Sequence, residues 1–335
     1  MSINNSRTQE SLNTKLLSTL KTLYKRSDIR AILFLLVLMV LIESLTPNFL
    51  GGQNIRFILL HSSVLCLIAL GETLVVLMGM IDLSPAAIAS FAGIVIGSRI
   101  YPTTPPFDIF LQILLVLLLG LALGLMNGGL IVFLRIPSII ATLSTMILIQ
   151  GFTLLYSGGF ATGVGMPASF AFLGQGKIGT IPTPVIIMLL TVLIIQFVLS
   201  KTVFGRHIFA IGGNEEAAIL SGINTNIIKI IVFGIAGLLS SLGGILLTAE
   251  LNSAYPDAAD NLLLPAIAAV VLGGTKLMGS AGEGSAYQTL IGAVILAVIS
   301  NALVILGINA YYQNVVTGII LLAATARAVK EKIIK

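Results

Sequence analysis

Tryptophan is absent from this 335-residue chain, cysteine occurs once, histidine twice, and charged residues make up only 9% of the total. A soluble globular domain carries roughly a quarter of its residues charged, so the scarcity of charge excludes that class. The single cysteine, Cys66, lies inside an apolar run, which excludes a disulfide within the chain and a cysteine-ligated metal. Three chemical motifs are also missing: the G-x-x-x-x-G-K-[ST] nucleotide loop, the H-E-x-x-H metal pair and the G-x-S-x-G nucleophile turn. The chain is therefore read as no enzyme, with no metal and no cofactor of its own, and any ATP that drives it must be bound by another chain. The formal net charge of +5 is spread over loops and ends without interleaved aromatics, so nucleic acid is excluded as a partner.

What the chain has in abundance is apolar length: 57% hydrophobic residues and a mean hydropathy of +1.08. Lipid offers the backbone no hydrogen-bond partners, so apolar runs of roughly 20 residues must be helices, and the period-two alternation of a barrel is absent. The fold class expected is all-α, a polytopic membrane protein of about ten transmembrane helices. The spans fall at 31–47, 57–79, 84–100, 109–134, 138–156, 183–200, 227–249, 262–275, 286–306 and 312–326. Residues 1–30 carry Arg7, Lys15, Lys21, Lys25, Arg26 and Arg30 opposite Leu12, Leu16, Leu20 and Leu23, which suits an amphipathic segment on the cytoplasmic leaflet. No cleavable targeting peptide is evident there. Both termini are expected inside, with the transmembrane body at 31–327 and a cytoplasmic tail at 328–335. That threading puts Arg135, residues 201–229, Lys276 and the tail on the cytoplasmic side, as the positive-inside rule requires. Arg56, Arg99 and Lys177 fall outside, together with Asp257 and Asp260. The span at 262–275 is short and runs into a Gly-rich connection, so a broken or re-entrant segment is expected nearby.

Small residues mark helix contacts. Gly120, Gly124 and Gly128 recur at i, i+4, i+8 and open a groove for a neighbouring helix. In M-I-D-L-S-P-A-A-I-A, Ser84 is placed to cap and Pro85 suits the first helical position, with Asp82 beside the positive helix end. This boundary is either a plain loop-to-helix turn or a half-helix terminus on a transport path. Charges in a bilayer core face the bundle interior or a path, and Glu72 is the deepest of Glu43, His61 and Glu72. Asn127, Gln150, Asn301, Gln313 and Asn314 add neutral donors and acceptors suited to a polyhydroxylated solute, or to bonds between helices.

The most informative stretch is residues 201–229, a polar island between apolar runs. Gly212 and Gly213 free the backbone, Asn214 can cap, Glu215 and Glu216 sit in the first turn, Ala217 and Ala218 are good helix formers, and Gly222 supplies a stop after Ser221. About two helical turns are too short to be stable alone in water, so this segment is expected to pack against something else through its small-residue face.

The run F-G-R-H-I-F-A-I-G-G-N-E-E-A-A-I-L-S-G-I, with I-D-L-S-P, I-P-S-I-I-A-T-L-S-T-M and A-I-A-A-V-V-L-G-G-T-K-L-M-G-S-A-G, closely resembles the permease subunits of bacterial ABC importers of the ribose, galactose and xylose class. Ser280 and Glu283 depart from that pattern. The resemblance implies that residues 214–222 are the coupling helix that docks on a cytoplasmic ATPase. It also implies a second permease subunit in a homo- or heterodimer, an extracytoplasmic solute-binding protein, ATP and Mg held by the ATPase, and a place in the bacterial inner membrane. A monosaccharide is the expected cargo, with nucleosides and furanosyl signalling molecules carried by relatives of this fold. Two readings of other classes stand beside it: a gradient-driven secondary transporter using Glu72 and His61 as a proton relay, and a non-transporting membrane scaffold.

Overall fold

A computed structural model describes residues 27–275 and 283–309, together with Tyr312, Val315, Val316, Gly318, Ile319 and Leu322. The helices are α1 (Ser27–Leu45), α2 (Gly52–Leu77), α3 (Pro85–Gly97), α4 (Pro106–Phe133), α5 (Ser138–Ser157), α6 (Ala168–Gln175), α7 (Thr183–Lys201), α8 (Val203–Gly213), α9 (Glu215–Leu220), α10 (Thr225–Leu251), α11 (Leu263–Gly273) and α12 (Ala286–Ile305). A two-stranded antiparallel hairpin, β1 (Lys177–Ile178) with β2 (Ile181–Pro182), joins α6 to α7.

Among the described residues, α2, α4, α5, α7, α10 and α12 are long and apolar enough to cross a membrane. The runs expected to span at 84–100 and 262–275 become shorter helices, α3 with 13 residues and α11 with 11. At 1.5 Å per residue neither reaches the roughly 30 Å of a hydrocarbon core. Each is short because the sequence around it breaks the helix: Gly79 at φ +77° and Pro85 bound α3 on one side, and Gly274 at φ +111° ends α11. The amphipathic segment, most of the run at 312–326, Lys276, Ser280 and the basic tail lie outside the described residues.

Helix α10 is the axis of the bundle, packing on α4, α3 and α2. Gly120, Gly124 and Gly128 are where α4 meets it. A Cβ added at Gly128 would lie 2.6 Å from Ile230 Cα, and one at Gly124 would overlap the Phe233 carbonyl. Gly237 returns the fit from the α10 side, against the Gly120 carbonyl. Where lipid removes the hydrophobic drive between helices, such backbone-to-backbone approach supplies the attraction through van der Waals contact. The main core lies between these helices and includes Leu67, Leu70, Leu74, Val232, Phe233 and Ala236, all buried.

Candidate functional site

Two sites emerge, one at an end of the bundle and one inside it. At the end, Asn214 has the extended backbone of an N-cap (φ −160°, ψ 106°), and its side-chain oxygen accepts from Ala217 N at 3.0 Å. The α9 helix that follows has six residues. It closes when the Ser221 hydroxyl donates to Ala217 O at 2.8 Å and Gly222 turns left-handed at φ +81°. Ile223 N then donates back to Ala218 O at 3.1 Å. Glu215 forms an ion pair with Lys229 on the second turn of α10, which ties the short helix to the axis of the bundle.

The small-residue face of α9 is divided. Ala218 is 3% exposed and belongs to the protein's own core, while Ala217, Glu216, Ile219 and Leu220 face outward, Leu220 being 89% exposed. The expectation that both alanines meet a partner is therefore corrected for Ala218. Pairing Glu215 to Lys229 fixes the rotation of the helix and turns Ala218 inward.

The interior site brings Asn127 of α4 to three residues at the end of α2 and in the segment after it. Glu72, Asp82, Ser84 and Asn127 are all fully or almost fully buried. Asp82 Oδ1 accepts from both the backbone N–H of Ser84 at 2.8 Å and its hydroxyl at 2.7 Å. Asn127 Nδ2, from α4, donates to the Ser84 Oγ at 2.8 Å. The Ser84 hydroxyl thus does not cap α3, whose N-cap makes no side-chain bond. Its backbone is already in the helical region (φ −88°, ψ −16°), and its hydroxyl oxygen accepts from Asn127 rather than from a backbone N–H of the first turn. Next to these bonds, both oxygens of Glu72 and the Asn127 Oδ1 have no hydrogen-bond partner among the described residues. The Asp82 backbone lies beside the Glu72 carboxyl.

The extended segment between α2 and α3 is tied to α5 through its backbone. Ile81 N donates to Ser138 Oγ at 3.4 Å and Leu83 N to Thr142 Oγ1 at 3.0 Å, both on the first turns of α5. These hydroxyls, and Thr73 bonded to Thr289 at 2.6 Å beside Glu72, escaped the sequence reading. Ser and Thr on helices carry no periodic signal that separates stitching residues from the rest.

The remaining path candidates do not join this cluster. Gln150 Nε2 donates to Asp260 Oδ2 at 3.4 Å. Asn301 exchanges two 2.9 Å bonds with Asn54, locking α12 to α2. Gln313 and Asn314 lie outside the described residues. His61 is exposed on α2, about 16 Å along the helix axis from enclosed Glu72, so the two do not form a relay. No group of three or more His, Cys, Asp or Glu side chains able to hold a metal occurs among the described residues.

The sequence matches the family described as branched-chain amino acid transport system / permease component over residues 54–325. Ribose import permease protein RbsC of Haemophilus influenzae is 41% identical over 298 residues, covering 88% of this chain and 91% of that protein. RbsC of Bacillus subtilis strain 168 is 42% identical over 291 residues, covering 87% and 89%. The D-allose transport system permease protein AlsC of Escherichia coli K12 is 35% identical over 293 residues, covering 87% and 88%. No solved structure matches the chain.

Proposed function

The chain belongs to the family of branched-chain amino acid transport system permease components, and from that membership we propose that it is the permease subunit of an ATP-driven ABC importer of a monosaccharide, ribose before others. It is a multi-pass protein of the bacterial inner membrane and is itself no enzyme. The observation that carries the substrate is the 41% identity to a ribose import permease over nine tenths of both chains. Three partners complete the machine: an ATPase that binds ATP and Mg, a solute-binding protein outside, and a second permease subunit facing the path.

The membrane frame proposed is ten crossings, two of them made by the short helices α3 and α11 together with the chain beside them, with both termini inside, residues 1–30 resting on the cytoplasmic leaflet, 31–327 forming the permease body and 328–335 the tail. Arg135, Lys201, Arg206 and Lys229 then mark the cytoplasmic end. The ATPase docks on the outward face of α9, where Glu216, Ala217, Ile219 and Leu220 meet it, while Asn214, Glu215, Ser221 and Gly222 hold the helix in shape. Closure of the ATPases on ATP pushes α9. The Glu215–Lys229 pair passes that displacement to α10, and α10 carries it to the three helices packed around it. A solute released by the binding protein crosses between two permease subunits by alternating access. The cluster of Glu72, Asp82, Ser84 and Asn127 acts in this scheme as an internal brace for the broken α2–α3 segment, with Gln150 and Asn301 bracing elsewhere.

The test is uptake of radiolabelled ribose in bacteria that lack their own ribose importer and express this chain with its ATPase and binding protein. Uptake should survive an uncoupler, vanish when the ATPase cannot hydrolyse ATP, and be competed by ribose above allose and arabinose. Uptake that is lost with the uncoupler and indifferent to the ATPase would instead establish a gradient-driven transporter.

A further inference from the structure

Beside the coupling segment lies a pocket of about 420 Å³ that the transport scheme leaves unused, walled by the end of α4, the α4–α5 turn and the starts of α5 and α10. Arg135 and Lys229 reach it from different elements, and Ser138 and Asn226 add a hydroxyl and an amide. No carboxylate lines it. Two long helices, α5 of 20 residues and α10 of 27, begin at its wall with the positive ends of their dipoles. Pro137 caps α5 with no side-chain acceptor, so the backbone N–H groups of Ser138 and Ile139 have no protein acceptor among the described residues. Arg135 has no ion-pair partner among the described residues and stands at φ +54°, a left-handed conformation that side chains disfavour. Residues kept in such a conformation cluster where a ligand is held. The two charged side chains that line the pocket are both cations, and Glu215 approaches it only through Lys229.

We propose that this pocket binds a phosphate group at the cytoplasmic face. Guanidinium, ammonium and free backbone N–H groups together match the three acceptor oxygens and negative charge of a phosphate. Lys229 is shared: its ammonium pairs with Glu215 of α9, so a phosphate in the pocket competes with the coupling helix for the same cation. Occupancy thereby loosens the link between α9 and α10. The phosphate comes from an anionic lipid headgroup or from a soluble phosphate, and the two sources are separable.

The full-length chain is purified in a neutral detergent and titrated with inorganic phosphate, and in parallel placed in phosphatidylcholine nanodiscs with or without phosphatidylglycerol, with the thermal midpoint as readout. A rise with inorganic phosphate assigns a soluble ligand, and a rise only with phosphatidylglycerol assigns a lipid. Arg135→Gly removes the cation while suiting the left-handed backbone, so it folds, and its apparent affinity should fall about tenfold or more. Glu215→Gln frees Lys229 and should tighten binding, whereas Glu216→Gln removes the same charge from the exposed face of the same helix and should change it little. Indifference of the wild-type chain to both probes, an Arg135→Gly response equal to wild type, or equal responses of the two glutamate variants would each overturn the assignment.

Discussion

The end-of-bundle helix α9 and the interior cluster around Asp82 are both polar, yet they meet their hydrogen-bonding needs in opposite ways. In α9, the cap, first-turn acids, closing hydroxyl and stop lie within nine residues; the cap and the hydroxyl find their partners locally, and Glu215 reaches to Lys229 of the next helix. The interior cluster draws on α2, the α2–α3 segment and α4, and leaves three buried oxygens without a partner among the described residues. A solvent-exposed helix loses little when one bond is missing because water replaces it. An enclosed group has no such replacement. Damage to the cluster should therefore appear first as lost folding, and damage to α9 as lost coupling in a protein that still folds.

The largest effect should come from Asp82→Ala. It leaves the Ser84 N–H and hydroxyl buried without their acceptor, at a cost of about 3 kcal/mol. The thermal midpoint and the amount of protein recovered from the membrane should both fall. Glu72→Gln breaks the expectation that every acid in the cluster matters alike. Its carboxyl oxygens have no hydrogen-bond partner among the described residues, so an amide of the same shape should leave stability level or raise it by about 1 kcal/mol, read as an unchanged or higher midpoint. A collapse of Glu72→Gln with an intact Asp82→Ala would invert the account of which carboxylate organises the cluster.

That contrast also explains what could be read before the structure. The α9 segment was legible because its signals are local: Asn214, the two glutamates and Gly222 each act within one or two turns. The glycines of α4 were legible by their period of four. The assembly of Glu72 with Asp82, Ser84 and Asn127 was not, since Asn127 is 43 residues from Ser84 in sequence and nothing in either neighbourhood names the other. Asn301 was open to two meanings, solute contact or helix glue, and the reciprocal bond to Asn54 comes from a residue 247 positions away. The shortness of α11 was legible in the length of its apolar run and the glycines after it, whereas hydropathy registers the run at α3 without the turn that shortens its helix.

Adjacent alanines sharpen the comparison within a single helix. Ala218→Trp drives an indole into the protein's own core, with a cost of about 1–3 kcal/mol or more, and should lower both the midpoint and the yield. Ala217→Trp points outward and should leave the midpoint near wild type while blocking association with the ATPase. Equal destabilisation by the two would mean that α9 is rotated from the position described. Next in size is Asn214→Ala, which removes the cap on Ala217 N and should cost about 1 kcal/mol of local helix stability. Hydrogen exchange at the α9 amides should quicken while the rest of the bundle stays protected, and an Asn214→Ser variant should recover most of the loss.

The smallest effect on folding should accompany Leu220→Ala. Leu220 is 89% exposed, so within this chain the substitution removes almost no contact, and the stability change should lie within about 0.5 kcal/mol. A large apolar side chain at the tip of an otherwise polar segment has a different use if a partner covers it, because truncating a buried anchor in an interface costs about 2 kcal/mol or more. Affinity for the ATPase should then drop about thirtyfold, with solute-stimulated ATP hydrolysis falling in step at limiting ATPase concentration. Raising the ATPase concentration should restore hydrolysis, since the variant weakens docking without altering the transmission from α9 through Glu215 and Lys229 to α10. Wild-type affinity in Leu220→Ala would move the docking contact to Glu216 and Ala217. A loss that no excess of ATPase repairs would place Leu220 in the transmission itself, and the division between a self-contained α9 and a partner-facing tip would have to be redrawn.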